Sequence, residues 1–305
     1  MSRGDPVERG GLASTPTGPV HDLAPGRAAD LGPGTTVRRL LPTLGRRMVG
    51  AWCFLDHYGP DALGTMDVWP HPHIGLQTVS WLFEGSVHHE DSLDNDDLLV
   101  PGVLGLMTAG HGIAHAETSP SPDVLHGAQL WVALPDDARD QAPAWDFHAE
   151  LPAATLPGAT VRVIVGAYEG ATSPGRTYTP IVGLDVTVAG QGELVLEADF
   201  EHAASVIAGH VWVDGVDVPA GSLLYLGTGR RRLPLRGEGR LLLLGGEPFS
   251  EPIVMWWNLV GRSHDEIDEA RRQWADGERF GAVPGWSRRT DAPPLALALK
   301  PRGRT

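Results

Sequence analysis

Short apolar runs, cut every few residues by glycine or proline, constrain this chain to β-structure more than any other feature. Its 39 glycines and 26 prolines make 65 of 305 residues, against roughly 12% expected from average usage. Hydrophobic residues still make up 42% of the chain, so there is material for cores but no room for long helices. Many short strands joined by turns follow, and a helix bundle is excluded. At 305 residues the chain has the length of two domains at about 150 residues each, enough to bury most of its surface without staples. The single cysteine, Cys53, excludes a disulfide framework and any cysteine-based zinc or iron–sulfur centre.

The formal charge of −14 argues against direct binding to nucleic acid or an anionic membrane, both of which need a positive face. No basic-then-apolar signal opens the sequence and no run of about 18 apolar residues interrupts it, so a cytoplasmic location is expected.

Composition divides the chain. Residues 1–35, rich in Gly, Pro, Ala and Thr, read as a flexible arm. A first strand-rich block spans 36–135, with strands expected over 51–57, 76–83, 98–100, 103–107 and 129–134. Residues 136–157 read as a linker. A second block of similar texture spans 158–280, with strands over 161–165, 184–188, 194–198, 205–207, 210–213, 223–226 and 240–244. One helix is signalled near its end. Ser263 and Glu266 form a capping box, Ile267, Ala270 and Trp274 share a face, and Gly277 ends it. Residues 281–305 read as a disordered tail.

Eight of the 13 histidines fall between His57 and His126. Two pairs stand out: His71 and His73 around Pro72, and His115 and Glu117 around Ala116. On a strand, residues i and i+2 project from one face. Two neighbouring strands, each turning such a pair into a barrel, would bring three imidazoles and a carboxylate to one point. That donor set suits Fe(II), Mn, Ni, Cu or Zn and fits Ca or Mg poorly. Rival frameworks are missing: no Asp-His follows His73, no His-Glu-x-x-His occurs, and there is no Gly-x-Ser-x-Gly elbow.

The consecutive motifs RRMVGAWCFLDHYGP, HPHIGLQTVSWLFEG, HHEDSLDND, PGVLGLMTAGHGIAHAE and GAQLWVALP, with GEPFSEPIVMWWNLV and DEIDEARRQWADGERFG further on, resemble the pirin family of bicupins over about residues 36–280. The resemblance implies an all-β fold of two cupin (jelly-roll) barrels in tandem with a short C-terminal helix. It also implies iron in the first barrel, held by His71, His73, His115 and Glu117, and a metal-free second barrel, where His202 and His210 share no face. The implied activity is an Fe(II)-dependent dioxygenase cleaving a flavonol such as quercetin, with Glu117 as proton acceptor. Those of Leu76, Val79, Trp81, Val103, Leu106 and Met107 that face inward would supply apolar walls for a flat phenolic ring. The alternative is a non-catalytic, iron-dependent regulator that binds a protein partner.

Against the family pattern, Ile74 removes a usual arginine near the pocket mouth, Gln77 replaces a pocket-wall carboxylate, Glu90 replaces a frequent arginine, and His111 occupies a variable position. Four lesser candidates have ordinary readings beside functional ones. His88-His89 reads as an exposed turn or a pocket wall, and Asp56-His57 as a loop hydrogen bond or a pair orienting a ligand imidazole. Asp94 to Asp97 reads as a solvated turn or a carboxylate site, and Trp256-Trp257 as packing between domains or a stacking platform.

Overall fold

The run Leu241–Leu244 lacks the alternation of a strand with one wet face, because that end of its strand is buried on both faces. The structure, a computed structural model, describes residues 18–30, 36–120, 123–295 and 297–304. In it, Leu241 and Leu243 fill one core while Leu242 and Leu244 belong to another. The strand Arg232–Gly246 is shared structure: one face lines the second barrel and the other packs on the first. Its neighbour Glu201–Val213 does the same, with Val206 on one side and Ile207 on the other. Burying a leucine contributes about 1.5–3 kcal/mol, so this double-sided layer is what joins the barrels.

The second barrel is an eight-stranded antiparallel sheet. Its main path runs Pro19–Pro25, Ser222–Gly227, Glu201–Val213, Arg232–Gly246, Ile181–Val195, Ala159–Val165 and Ala153–Leu156. The first barrel sets a seven-stranded sheet against a four-stranded one. The larger contains Trp52–Gly64, Leu76–Glu84, Leu104–Thr108 and Asp123–Ala133. The smaller runs Asp67–His73, Ile113–Thr118, Val87–Asp91 and Asp96–Leu99. Polar contacts lock the barrels together: Trp52 Nε1 donates to the Gly245 carbonyl at 3.1 Å, and Trp81 Nε1 to Asp185 at 3.0 Å.

The helix forms over His264–Asp276, with Ser263 Oγ accepting from the Glu266 amide and Gly277 closing it at φ +78°. Ile267, Ala270 and Trp274 pack on Ile74 and Leu259. It is the one α-helix among the described residues, and none there is long and apolar enough to cross a membrane. Two pairs of expected strands are single long ones: Ile181–Val195 passes through Gly190 and Glu201–Val213 through Gly209, both at positive φ. A glycine inside a strand permits a bend without ending it.

Three segments differ from their composition. Of the arm expected over 1–35, Pro19–Pro25 is an edge strand of the second barrel and Arg27–Asp30 one of the first; residues 1–17 and 31–35 lie outside the described residues. The expected linker is largely strand, since Ala144–His148 pairs with the first barrel and Ala153–Leu156 with the second. The expected disordered tail is packed. Val283 and Trp286 join the helix core, the Thr290 amide donates to the Pro70 carbonyl at 2.8 Å, and Arg304 reaches buried Glu201 at 2.8 Å. For Pro19–Pro25 and the tail the partners come from remote sequence, which local composition does not register; Arg27–Asp30 and Ala153–Leu156 instead pair with the strand next in sequence.

Candidate metal centre

The smaller sheet of the first barrel builds the site. His71 and His73 lie on Asp67–His73, its outermost strand, where Pro70 and Pro72 break no ladder. On the adjoining strand His115 pairs in register with His71 on one side and Asp91 on the other, and Glu117 pairs with His89. Period-two spacing turns all six inward, and all six are buried.

His71, His73 and His115 each offer a ring nitrogen within 4.8 Å of the others, and Nε2 of His73 lies 3.1 Å from Nε2 of His115. A second such group joins His115 to His89 and Glu117. Spacing alone points to one four-residue cluster; the structure resolves two triads that share His115.

The protons on two rings are fixed by backbone carbonyls. His71 Nδ1–H donates to Trp69 at 2.9 Å and His73 Nδ1–H to Asn258 at 2.8 Å. A neutral imidazole carries one ring proton, so both Nε2 atoms present lone pairs. Burial holds His71 neutral, lowering its pKa to about 4, and keeps His73 and His115 well below the ordinary range. Burial raises Glu117, against the opposing pull of His89 and of the Ser80 hydroxyl, which donates to Glu117 Oε1 at 2.8 Å. Neutral imidazoles, with their lone pairs crowded together, and a buried carboxylate fit a divalent transition metal.

These groups form the floor of a cavity of about 710 Å³, within the size range of small-molecule sites. Phe54, Trp69, Trp131 and Trp257 line it, with Arg27, Arg39 and Arg289. Arg39 is held bidentate by buried Asp56 at 2.8 and 2.7 Å and lies over Phe54. Trp257 has φ +52°, an outlying conformation for a bulky residue. The same tight turn aims the Asn258 carbonyl at His73.

Several expectations change. Leu76, Val79, Trp81, Leu106 and Met107 lie in the core shared by the barrels and Val103 in a small cluster with Leu99 and Val87; none lines the cavity. On Leu76–Glu84 it is Ser80, not Trp81, that reaches the site, through its hydroxyl on Glu117. Ile74 is under the helix, away from the mouth. Gln77 bonds Thr108 and the Arg176 carbonyl instead of walling the pocket. Glu90 accepts from Trp286, and His111 bonds the Gln141 carbonyl. Asp56 anchors Arg39 while His57 pairs with His126 at 2.8 Å, so neither orients a ligand imidazole. Asp97 accepts from Trp145. Trp256 and Trp257 pack beside the helix, and Trp257 also walls the cavity. His89 is fully buried against His115, not an exposed turn. The i, i+2 spacing of His89 and Asp91, the same spacing as His71 and His73, was the available signal. In the second barrel His202 is buried and His210 pairs at the surface with Asp217.

Comparisons agree with this architecture. The Pirin family model matches residues 34–132, and the model of the pirin C-terminal cupin domain matches residues 182–281. A Pseudomonas aeruginosa protein named provisionally as a quercetin 2,3-dioxygenase is 46% identical over 279 residues, covering 88% of this chain and 89% of that protein. A pirin-like protein of Caulobacter vibrioides is 36% identical over 265 residues, covering 82% and 91%. The crystal structure of a quercetin 2,3-dioxygenase from Acinetobacter baumannii superposes with a TM-score of 0.87 at 40% identity, covering 92% of this chain and 97% of that one. With both of its barrels matched in order by the two domain models, the chain belongs to the pirin family.

Proposed function

We propose that this protein is a metal-dependent dioxygenase of small phenols, flavonols such as quercetin foremost, with Fe(II) held by His71, His73, His115 and Glu117. The observation that carries this reading is the convergence of buried, neutral imidazoles on the floor of an aromatic-walled cavity. The names of the relatives and the Acinetobacter baumannii structure support the substrate class. When bound, the metal would supply Lewis-acid activation of a phenolate oxygen and a template for O₂.

The remaining work falls to the chain. Trp69 and Trp257 wall the cavity beside the Phe54–Trp131 stack, so an aromatic ring meets aromatic side chains there, and pairing of this kind contributes about 0.5–1.5 kcal/mol per pair. Glu117, with Oε1 held by Ser80, is placed to accept the phenolic proton. Gln129 Oε1 lies 3.1 Å from the same Ser80 hydroxyl, so that hydroxyl can stay hydrogen-bonded when Glu117 takes up a proton.

The test is O₂ uptake by anaerobically Fe(II)-loaded protein on addition of quercetin, with His115→Ala as the blank. Uptake that tracks iron occupancy and vanishes in the blank is expected, and Glu117→Gln is expected to retain iron yet lose turnover. Iron binding without oxygen consumption would overturn the enzymatic reading in favour of the iron-dependent regulator.

A further inference from the structure

Behind His115, on the side away from the cavity, lie buried groups that neither the donor set nor the substrate walls employ. His115 Nδ1 is 3.3 Å from His89 Nδ1, and His89 Nε2 is 3.3 Å from Asp91 Oδ2. The His89 ring is clamped, stacked on Trp145 at 3.7 Å between centroids and 2° between planes. Trp145 is in turn tied through Nε1 to Asp97 at 2.8 Å.

The direction of each hydrogen bond follows from its outer end. Asp91 receives the Leu93 amide at 2.8 Å, the Asn95 amide at 3.2 Å, and the Asn95 side-chain NH₂ at 3.0 and 2.9 Å. Those groups only donate, so the carboxylate accepts on both oxygens, and His89 Nε2 carries the proton that faces it. A singly protonated His89 ring then has its lone pair on Nδ1, where it accepts the Nδ1–H of His115. His115 Nε2 is left without a proton, 3.1 Å from the Nε2 lone pair of His73.

We propose that Asp91 and His89 are positioning residues, a two-step relay that fixes the tautomer and ring orientation of His115 so that its Nε2 lone pair faces the metal. The proposal rests on the reading of His115 as a ligand. His71 and His73 take their orientation from rigid backbone carbonyls. His115 takes it from a side-chain chain that an amino-acid substitution can cut. Groups behind a ligand in this way change metal affinity by about 10- to 100-fold.

The test titrates the full-length apo protein with Co(II), reading affinity and the ligand-field absorption spectrum. His89→Phe keeps a ring on Trp145 and removes the acceptor; His89→Gln restores an acceptor oxygen. Co(II) binding is expected to weaken about 10- to 100-fold in His89→Phe, with an altered spectrum, and to recover substantially in His89→Gln. Equal losses in both variants, or wild-type affinity and spectrum in His89→Phe, would overturn the relay. Nitrogen-15 NMR of the wild-type apo protein decides the matter even if a variant fails to fold. Protonated Nδ1 on His115 is expected, and a proton on Nε2 instead would refute the assignment. Absence of Co(II) binding by the wild-type protein would refute the ligand reading while the NMR result still judged the relay.

Discussion

In the first barrel, the inward positions of Asp67–His73, Val87–Asp91 and Ile113–Thr118 carry His71, His73, His89, Asp91, His115 and Glu117. In the second, buried positions of Glu201–Val213, Ser222–Gly227 and Arg232–Gly246 that share one core carry Ala204, Val206, Leu224, Leu226, Leu241 and Leu243. The scaffold is the same but its interior is used in opposite ways. A buried polar group costs free energy unless partnered. The first barrel therefore needs a polar partner behind each of these imidazoles, a carbonyl for His71 and His73, His89 for His115 and Asp91 for His89, while the apolar positions of the second need only complementary volume. The first can hold an ion; the second holds the assembly together.

That contrast can be broken from the apolar side, where the largest effect is expected. Val206→Asp places a charge in the second core with no partner within it and should cost about 4 kcal/mol of stability, read from the urea midpoint. A loss under about 1 kcal/mol would mean that this interior admits water.

A smaller effect sharpens the comparison through pH. Burial lowers the pKa of His202 to about 4, from an ordinary value of about 6.5. Between those values the unfolded chain binds one more proton than the folded one, so stability rises with pH there and is lost on acidification, by up to about 3 kcal/mol at pH 4. His202→Asn should flatten that part of the curve, and parallel curves for the two proteins would exclude the assignment. His71, His73 and His115 contribute with the same sign in the apo protein. A bound divalent metal should suppress their share and leave that of His202 intact.

The smallest effect concerns the strained turn. In Trp257→Gly, relief of the φ +52° conformation and loss of packing offset each other, so stability should move by less than about 1 kcal/mol. Quercetin affinity should fall about 3- to 10-fold with the missing aromatic wall, measured by fluorescence quenching. An unchanged affinity would remove Trp257 from the binding surface.

The sequence was most informative where structure is local. The helix was readable from Ser263, Glu266 and Gly277 because capping is decided within four residues. The paired ligands were readable because period two is a property of the strand itself. Which face of Leu76–Glu84 turns inward was not readable: both faces are buried, so Trp81 and Ser80 give no hydropathy contrast. His89 was obscured by its neighbour His88, which points to the opposite, wetter side. The docking of Thr290 and the strand Pro19–Pro25 were hidden because their partners lie about two hundred residues away, as Asn258 lies 185 residues from His73.

That last separation bears on how the protein is made. Synthesis releases His71, His73 and His115 long before Asn258, whose carbonyl holds the His73 ring, and later still before Arg289 and Thr290 reach the cavity rim. An unfinished or truncated chain can display the three imidazoles, but not with the proton of His73 fixed. The centre thus reports on the integrity of the whole polypeptide: it acquires its finished geometry only once the second barrel and the segment beyond it have folded back across the first.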